Sequence, residues 1–390
     1  MTGQDRQNLV RTVFAQLFGG EPSLWVQAPG RVDLMGSHTD YNQGYVLTMT
    51  VDRDTWIAAR PRPDRTVAIA TINLEERTEF GLDDIRPDPA CCWADYVKGV
   101  AQALLAEGYA LGGFEGVIHS TVPLSSGLSS SAALEAATAV LFREMGGWQI
   151  DPVRLALLCQ KAENQFVGVN CGILDQYTSI HGQAGCALLL DCRHLTSRSA
   201  AIDPGIQVVI CDTQFKRQLS GSEYAERRAQ CETGAAILSE HYPQVRTLRD
   251  VSLEQLDAHA DALPDVVLRR ARFIIEENQR VLALAGALEA GDRAAIRALT
   301  AASFAGARDL YEISVPAMEA MMAAMLDGPG VIGARQAGAG FGGCMVAFVD
   351  RDYVDRFVPA VRAAYHRATG IEPHVYAVRA SPGAGVLDCG

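Results

Sequence analysis

The segment best suited to bind a charged ligand has the sequence PLSSGLSSSAALE, from Pro123 to Glu135. A β-branched run precedes it and a helical pattern follows it, so its small residues stand where a strand passes into a helix. Free N–H groups and the helix dipole favour an anion there, and Ser129, Ser130 and Ser131 add hydroxyls for phosphate or a metal ion. An ordinary serine-capped helix explains the segment equally well. The chain has no GK[ST] sequence, which excludes a Walker-type phosphate loop.

A second segment, GRVDLMGSHTDY, places charged side chains among glycines between Gly30 and Tyr41. A carboxylate such as Asp40 can accept hydrogen bonds from two neighbouring hydroxyls, and the guanidinium of Arg31 donates in a fixed geometry. The pattern therefore suits a ligand that is rich in hydroxyl groups. Taken alone, His38 fits a structural histidine slightly better than a ligand contact.

A third segment, Gly338–Gly343, contains a formal GxGxxG sequence. A dinucleotide-binding fold would need a helix after this sequence, but the residues from Cys344 to Val349 favour a strand. The glycines therefore predict a tight loop between two strands. Such a loop is either purely structural or brings the backbone close to a substrate.

A fourth segment, GILDQ, places Asp175 downstream of Glu163. Carboxylates of this kind can handle a proton or bind a metal ion. By itself, however, Asp175 fits the N-cap of a helix best. The residue types alone do not assign it a chemical role.

The elements that must position these segments alternate between strands and helices. Strands are predicted at 45–51, 56–60, 66–72, 114–120, 187–191 and 206–212. Helices are predicted at 93–106, 132–142 and 152–166, the last opened by Asp151 as N-cap and Pro152, and then through 223–326 with a break at Gly291 and Asp292. The remaining chain favours strand, strand, helix and strand. This order predicts an α+β protein of two closely joined halves, 1–195 and 196–390.

Composition narrows the class of protein further. The 390 residues are 48% hydrophobic, which is enough for two domains with cores. A formal net charge of −12 argues against a nucleic-acid partner, although a local site can still bind an anionic nucleotide. We predict no signal peptide and no membrane association. Ten cysteines without a CxxC spacing are typical of reduced thiols in a cytoplasmic protein.

Taken together, the segments resemble the galactokinase family of GHMP kinases. The matching sequences are GRVDLMGSHTDYNQGYVL, WADYVKGV, GLSSSAALE, AENQFVGVNCGILDQY, SEYAERRAQC and GARQAGAGFGGC. Their order and spacing agree over nearly the whole chain. The resemblance implies a two-domain GHMP kinase fold, with a ribosomal S5 domain 2-like half (1–195) and a ferredoxin-like half (196–390). It also implies a kinase that uses ATP and Mg²⁺ to phosphorylate the anomeric hydroxyl of a galactose-like sugar, as a monomer or a homodimer.

The resemblance also implies roles for individual residues. Asp175 matches the catalytic residue that takes or orients the proton of the sugar hydroxyl, and Arg31 matches the arginine that stabilises charge around the transferred phosphoryl group. Contacts to the sugar are implied for Ser37, His38, Asp40, Gly172 and Tyr224. Contacts to ATP are implied for Trp93, Ser125, Gly127, Ser129, Ser130 and Ser131, and contacts to Mg²⁺ for Ser131 and Glu163.

One position departs from the family signature, which has glutamate where this chain has Ser37. In relatives that glutamate receives the C6 hydroxyl of the sugar. Galactose, galacturonate and L-arabinose all fit the altered site, and galactose ranks first because the other motifs follow it. We expect a permissive C6 end formed by Ser37 and His38, and strict recognition of C3 and C4 by Asp40.

A second class of function is a non-catalytic sensor of sugar and ATP that regulates transcription. The fungal sensor of this kind resembles galactokinases but lacks a Ser-Ala pair in the phosphate loop. This chain keeps Ser131, Ala132 and Asp175. The sequence therefore favours the enzyme.

Overall fold

Internal contacts divide the chain into two units, each discontinuous in sequence. The first contains Met1–Arg31, Thr50–Gly182 and Ser381–Gly390, and the second contains Val32–Met49 and Gln183–Ala380. The computed structural model describes residues 2–123, 127–215 and 222–388. The sequence predicts two halves that are each continuous, 1–195 and 196–390, whereas these units are discontinuous. The division into continuous halves stays a prediction.

The described residues form a mixture of strands and helices. The strands are β1 Leu24–Met35, β2 Tyr45–Pro61, β3 Thr66–Thr71, β4 Glu76–Gly81, β5 Phe114–Ser120, β6 Cys186–Asp191, β7 Thr196–Ala201, β8 Ile206–Asp212, β9 Val331–Gln336, β10 Cys344–Asp350, β11 His374–Val378 and β12 Gly385–Val386. The helices are α1 Gly3–Phe18, α2 Ala94–Ala106, α3 Ser130–Gly146, α4 Pro152–Ala162, α5 Leu174–His181, α6 Ser222–His241, α7 Leu253–Ala258, α8 Asp265–Ala290, α9 Arg293–Asp309, α10 Pro316–Leu326 and α11 Val354–Thr369.

The first unit is built on a sheet with strand order β12-β1-β2-β5-β3-β4, to which β1 and β2 contribute the parts that lie in this unit. The β3–β5 pair is parallel, whereas β5 pairs with β2 in antiparallel fashion. Helices α2, α3 and α4 cover the sheet over a core rich in alanine and branched aliphatic residues. Small side chains such as Ala136 and Ala137 of α3, both fully buried, let backbones pack closely. A rigid support thus lies behind the start of α3.

The second unit contains an antiparallel sheet of order β11-β8-β10-β9. Val346 to Val349 in β10 are fully buried. Helices α9, α10 and α11 share a methionine-rich core with this sheet. A separate apolar cluster joins α6, α7 and α8. In the same unit, the first residues of β2 pair with β6, which pairs with β7.

Several predicted helix ends agree with the structure. Asp151 is the N-cap of α4, its carboxylate accepts hydrogen bonds from two backbone N–H groups, and Pro152 is the first helical residue. Gly291 ends α8 in a left-handed conformation with φ of 63°. Asp292 then caps α9. In each case the side chain or the glycine satisfies the geometry that a helix end needs.

Other predicted elements differ in detail. The helix predicted at 152–166 covers the observed helical span, but it is an α-helix only to Ala162 and continues as a π-helix, Glu163–Val167. The strands predicted at 45–51 and 56–60 form the single long strand β2. An apolar pattern shows where a helix lies but does not distinguish an i→i−4 from an i→i−5 hydrogen bond.

Within the described part of the chain, no helix combines the length and hydrophobicity that a membrane span requires. The nine cysteines within the same part are free thiols, and among them only Cys92 is exposed.

Candidate active site

The residues before α3 bring the backbone close to β1. The backbone N–H of Arg31 donates to the carbonyl of Leu128 at 3.0 Å. A Cβ atom at Gly30 would lie only 2.6 Å from that same oxygen, so only glycine fits this approach. Gly127 has a φ of 75°, which also favours glycine. Ser125 of the predicted phosphate loop lies outside the described residues.

Helix α3 begins at Ser130, and Ser129 occupies its N-cap position in a left-handed conformation with φ of 55°. The Ser129 side chain does not cap the helix; it donates a hydrogen bond to Oδ2 of Asp175 instead. The first N–H groups of α3 therefore receive no bond from the Ser129 hydroxyl. An anion placed at this helix end would be stabilised by those groups and by the helix dipole.

Arg31 and Asp175 form the charged centre of this region. Nε and Nη2 of Arg31 lie 2.7 and 2.6 Å from Oδ1 of Asp175, and Nη1 donates to the carbonyl of Gly127 at 2.6 Å. The Arg31 and Asp175 side chains retain 11% and 21% of their exposure. Both carboxylate oxygens of Asp175 are thus held in position while the group stays accessible to a substrate.

The interpretation of Asp175 as an N-cap was wrong. The N-cap of α5 is Ile173, and Asp175 is the second helical residue. Its carboxylate binds Arg31 and Ser129, which are 144 and 46 residues away in sequence. A short helix therefore presents Asp175 to the phosphate-loop segment.

A buried acidic pair lies behind Ser131. Glu163 is 5% exposed and Glu135 is fully buried, and Nε2 of Gln176 donates to both carboxylates, at 2.5 and 2.9 Å. Burial, followed by the charge of Asp175, raises the pKa of Glu163, which also accepts a hydrogen bond from Ser131. Burial, with the charge of Glu163 next in size, raises the pKa of Glu135 well above its usual value. Two carboxylates so close would repel each other if both were ionised, and a positive ion beside Glu163 would relieve this repulsion.

The segment between the π-helical turn and α5 is held by side-chain amides. Asn164 accepts from the backbone N–H of Cys171 at 2.8 Å, and Gln160 donates to the Cys171 carbonyl at 3.1 Å. The Cys171 thiol donates to Glu163 at 3.2 Å, and burial raises its pKa. Gly172, the predicted sugar contact, follows directly and is partly exposed.

A cavity of about 300 Å³ adjoins the start of α3. Its lining residues are Thr55, Thr71, Asn73, Leu74, Trp93, Tyr96, Ile118, Ser120, Val122, Ser130, Ser131 and Leu134. The structure thus brings three predicted ATP contacts, Trp93, Ser130 and Ser131, to one cavity. Its walls are mainly apolar with a few polar groups, as is usual for a small-molecule site.

In the second unit, helix α8 fixes both ends of the loop that carries the signature residues. Glu277 accepts a hydrogen bond from the N–H of Gly36 at 3.3 Å, and Asn278 accepts from the N–H of Tyr45 at 2.8 Å. Gly36 has a φ of 112°, and a Cβ atom there would lie 2.9 Å from the Tyr45 carbonyl. The loop is therefore a rigid element rather than a flexible connection.

Ser37 and His38 lie inside this loop and use their polar atoms within the protein. Ser37 is 3% exposed, and it donates to Asp33 at 3.0 Å while accepting from Arg335 at 3.0 Å. Nε2 of His38 donates to the carbonyl of Ala339 at 2.9 Å, and its Nδ1 lies 2.8 Å from the Tyr41 hydroxyl. This geometry does not support the expectation that Ser37 and His38 donate hydrogen bonds to a sugar substituent at C6.

Asp40 and Tyr224 lie near this histidine in different ways. Asp40 opens a short 3₁₀ turn, Asp40–Asn42, and is partly exposed. The Tyr224 ring lies 5.2 Å from the His38 ring and 5.5 Å from the Tyr41 ring. The Tyr224 ring therefore packs against the loop that carries Asp40.

The glycine segment joins β9 to β10, which pair in antiparallel fashion. Gly338, Gly340, Gly342 and Gly343 all have positive φ. At Gly340 a Cβ atom would lie 2.7 Å from the Ile313 carbonyl. The prediction of a tight loop between two strands is therefore confirmed.

Comparison with known proteins shows the family to which this chain belongs. Family models match three parts of the chain: the galactokinase galactose-binding signature at residues 12–61, the GHMP kinases N terminal domain at 95–183, and GHMP kinases C terminal at 284–367. A galactokinase from Roseiflexus sp. (strain RS-1) is 44% identical over 380 residues, 97% of each chain. The chain belongs to the galactokinase family. A galactokinase from Chloroflexus aggregans is 42% identical, over 93% of each chain.

Solved structures confirm the GHMP kinase fold expected from the family resemblance. Lactococcus lactis galactokinase, solved in complex with galactose, superposes with a TM-score of 0.91 at 33% identity, covering 98% of this chain and all of that one. The mevalonate kinase of Methanococcus jannaschii has a TM-score of 0.65 at 16% identity, covering 93% and 99% of the two chains. The second match reflects the shared fold alone. The two-domain α+β class was therefore predicted correctly.

Several residues of the candidate site were not predicted from the sequence. Gln176 donates to both Glu163 and Glu135, and Arg335 contacts both Ser37 and Glu277. A weak signal existed, because GILDQ and AALE already contain Gln176 and Glu135. Arg335 lies in the matched segment GARQAGAGFGGC, but nothing in the sequence indicates that Arg335 or Glu277 contacts residues 36–45, here called the signature loop.

Proposed function

We propose that this protein transfers the γ-phosphate of ATP to the anomeric hydroxyl of galactose and so forms α-galactose 1-phosphate. Family membership makes it an ATP-dependent sugar kinase. The observation that carries the proposal is the convergence of Arg31 and Ser129 on Asp175 at the N-terminus of α3. A positioned acid–base group thus lies next to a helix end that favours phosphate.

Phosphoryl transfer depends mainly on positioning and on stabilisation of charge. In the proposed mechanism, the Asp175 carboxylate orients the anomeric hydroxyl and accepts its proton as the new bond to phosphorus forms. Aspartate is a weak base, so its proton transfer is late. Arg31 holds Asp175 in place and stabilises negative charge on the transferred group with its remaining hydrogen-bonding capacity.

We propose that ATP occupies the cavity lined by Trp93, with its phosphates against Gly127, Ser129 and Ser130. Ser125 completes this set in the proposal. The chemistry of the donors fits Mg²⁺, because the Ser131 hydroxyl and the Glu163 carboxylate are the hard oxygen ligands that this ion prefers. When bound there, Mg²⁺ would neutralise phosphate charge.

For the sugar, we propose that Asp40 accepts the C3 and C4 hydroxyls, and that Tyr224 and Gly172 line the site. Ser37 and His38 are better supported as residues that hold the loop than as direct donors, because their hydrogen-bond donors are used within the protein. Position 37 lacks the glutamate that receives the C6 hydroxyl in relatives. Tolerance at C6 therefore remains part of the proposal, with L-arabinose and galacturonate as the alternative substrates.

A panel of sugars tests this function. We expect ATP-dependent release of ADP with galactose, confirmed by NMR of an α-1-phosphate product, and little or none with glucose, which is inverted at C4. L-Arabinose and galacturonate test tolerance at C6, and N-acetylgalactosamine tests C2. A site that bonds a hydroxyl rejects the analogue without a correctly placed hydroxyl by up to roughly 10⁴–10⁵. Turnover of glucose equal to that of galactose would refute the assignment of Asp40.

The same assay separates the enzyme from a sugar and ATP sensor. A sensor would bind both ligands in calorimetry and release no ADP with any sugar. We propose a cytoplasmic location as well, since the nine described cysteines are free thiols and thiols are kept reduced there.

Replacing Gly127 by valine should weaken the binding of ATP at least about tenfold in a folded protein. Gly127 has a φ of 75°, which a β-branched residue rarely adopts, and its carbonyl accepts from Arg31. Calorimetry with a non-hydrolysable ATP analogue measures the effect. Gly147→Val is the control, because Gly147 also has a positive φ, of 63°, but lies beyond the far end of α3. Equal ATP affinity in the two variants would remove Gly127 from the phosphate loop.

A further inference from the structure

A buried polar cluster lies under the signature loop (residues 36–45) of the second unit. Arg335, Glu277 and Ser303 are 0% exposed, and Asp33 and Ser37 are 2% and 3% exposed. Nε of Arg335 donates to Ser303 and its Nη2 donates to Ser37, both at 3.0 Å. Each serine then donates to a carboxylate, Ser303 to Glu277 at 2.8 Å and Ser37 to Asp33 at 3.0 Å. One guanidinium is thus linked to two acids through two serines.

The charges in this cluster balance. Glu277 pairs with Arg335 at 3.2 Å and with Arg280 at 2.7 Å, while Oδ2 of Asp33 lies 3.9 Å from Nη1 of Arg335. The remaining partner of Arg280, Glu276, keeps 29% of its side-chain exposure, so water screens its charge. Two buried carboxylates therefore face two buried guanidinium groups. An extra buried charge would be strongly unfavourable.

The Asp33 end of the cluster joins two loops. Oδ2 of Asp33 accepts from Ser37 in the signature loop at 3.0 Å. It also accepts, at 3.2 Å, from the N–H of Gly338 in the loop Gly338–Gly343, here called the glycine loop. His38 adds a second link, because its Nε2 donates to the Ala339 carbonyl at 2.9 Å. The Ser303 end lies on α9 and meets the signature loop at its first residue, because Glu277, which accepts from Ser303, also accepts from the N–H of Gly36 at 3.3 Å. The two serines thus have equivalent chemistry, but Ser37 lies within the signature loop itself and is joined to the glycine loop through Asp33.

We propose that Asp33 is a positioning residue that acts through Ser37 and Gly338 to hold the signature loop, and with it Asp40, in the geometry needed for sugar binding. The single buried acid required at this end of the cluster sits at position 33. A carboxylate at position 37 is then compatible with the fold only when position 33 is neutral. The inference rests on the proposed function only for its effect on sugar binding.

The matched serines provide the first test. Ser37→Ala and Ser303→Ala each remove a hydroxyl that accepts from Arg335 and donates to a buried carboxylate. Both variants should therefore lower Tm by about 2–6 °C. Only Ser37→Ala should raise the KM for sugar, by about tenfold, with kcat and the KM for ATP within about twofold of wild type. Equal sugar KM values in the two variants would overturn the positioning role.

Asp33→Ala distinguishes positioning from a direct sugar contact by Ser37. It removes the acceptor for Ser37 and Gly338 and should raise the sugar KM as much as Ser37→Ala does. The double variant Asp33→Ala/Ser37→Ala should be no worse than Asp33→Ala alone, because both changes break the same link. Effects that multiply would show that Ser37 contacts the sugar independently of Asp33.

The charge requirement is tested without any sugar. Ser37→Glu adds a third buried carboxylate and should lower Tm by about 6–15 °C or abolish soluble expression. Adding Asp33→Asn restores the balance and should return Tm to within about 4 °C of wild type, or restore soluble protein. A double variant no more stable than Ser37→Glu would refute the charge argument. If no sugar is a substrate, the proposed function fails, and this measurement still decides the charge balance of the cluster.

Discussion

Replacing Asp175 by asparagine should lower kcat by roughly 10²–10⁴, with the KM values for ATP and sugar within about threefold of wild type. The amide keeps the shape of the side chain and an acceptor for Ser129 or Arg31, both of which bind Asp175. It cannot accept the proton of the sugar hydroxyl. Steady-state measurement of ADP release gives kcat, and calorimetry gives ATP affinity separately.

The control is a surface pair of the same residue types. Asp84 and Arg86 form an ion pair at 2.7 Å, with 69% and 78% of their side chains exposed. Asp84→Asn should leave kcat and both KM values unchanged, because exposed pairs contribute little. Turnover of Asp175→Asn within about threefold of wild type would remove Asp175 from the mechanism.

Replacing Arg31 by alanine should lower kcat by about 10³–10⁵, the range found when an arginine stabilises a transferring phosphoryl group. Arg31 contacts Oδ1 of Asp175 through two nitrogens and the Gly127 carbonyl through a third. Lysine keeps the charge but cannot make both contacts at once, so Arg31→Lys should recover little of the loss. Arg86→Ala is the matched exposed control.

The double variant Arg31→Ala/Asp175→Asn tests whether the two residues act as a unit. Groups that work together show losses far from additive. We therefore expect the double variant to be at most about tenfold slower than Arg31→Ala alone. Losses that multiply fully would mean that Arg31 and Asp175 act independently, contrary to their direct contact in the structure.

The family, and with it the fold and the residues expected at the centre of the candidate site, could be predicted because short segments of sequence identify them. The segments around Arg31, Ser129 and Asp175 each have a distinctive composition, and their order identified the family. Residue types alone did not suffice for Asp175, which fitted an N-cap until the family resemblance gave it a role. Its partners are 144 and 46 residues away, and a single sequence does not show which distant residues meet.

The surroundings of Ser37 were unpredictable for the same reason. The absence of a carboxylate at position 37 suggested an open site. However, Arg335, 298 residues away, donates a hydrogen bond to the Ser37 hydroxyl. Other misses were avoidable. Helix α1 has a capping box formed by Thr2 and Asp5, followed by apolar residues at helical spacing, and both signals are readable from sequence.

The exposed thiol of Cys92 has a practical consequence for spectroscopy. It stands next to Trp93, which lines the cavity proposed for ATP, whereas the other cysteines of the described residues are buried or partly buried. With Cys389, which lies outside those residues, replaced by serine, a maleimide dye would attach first at Cys92 because accessible thiols react fastest. Fluorescence from this native position would follow nucleotide binding in real time, without a coupled enzyme and in variants that have lost turnover.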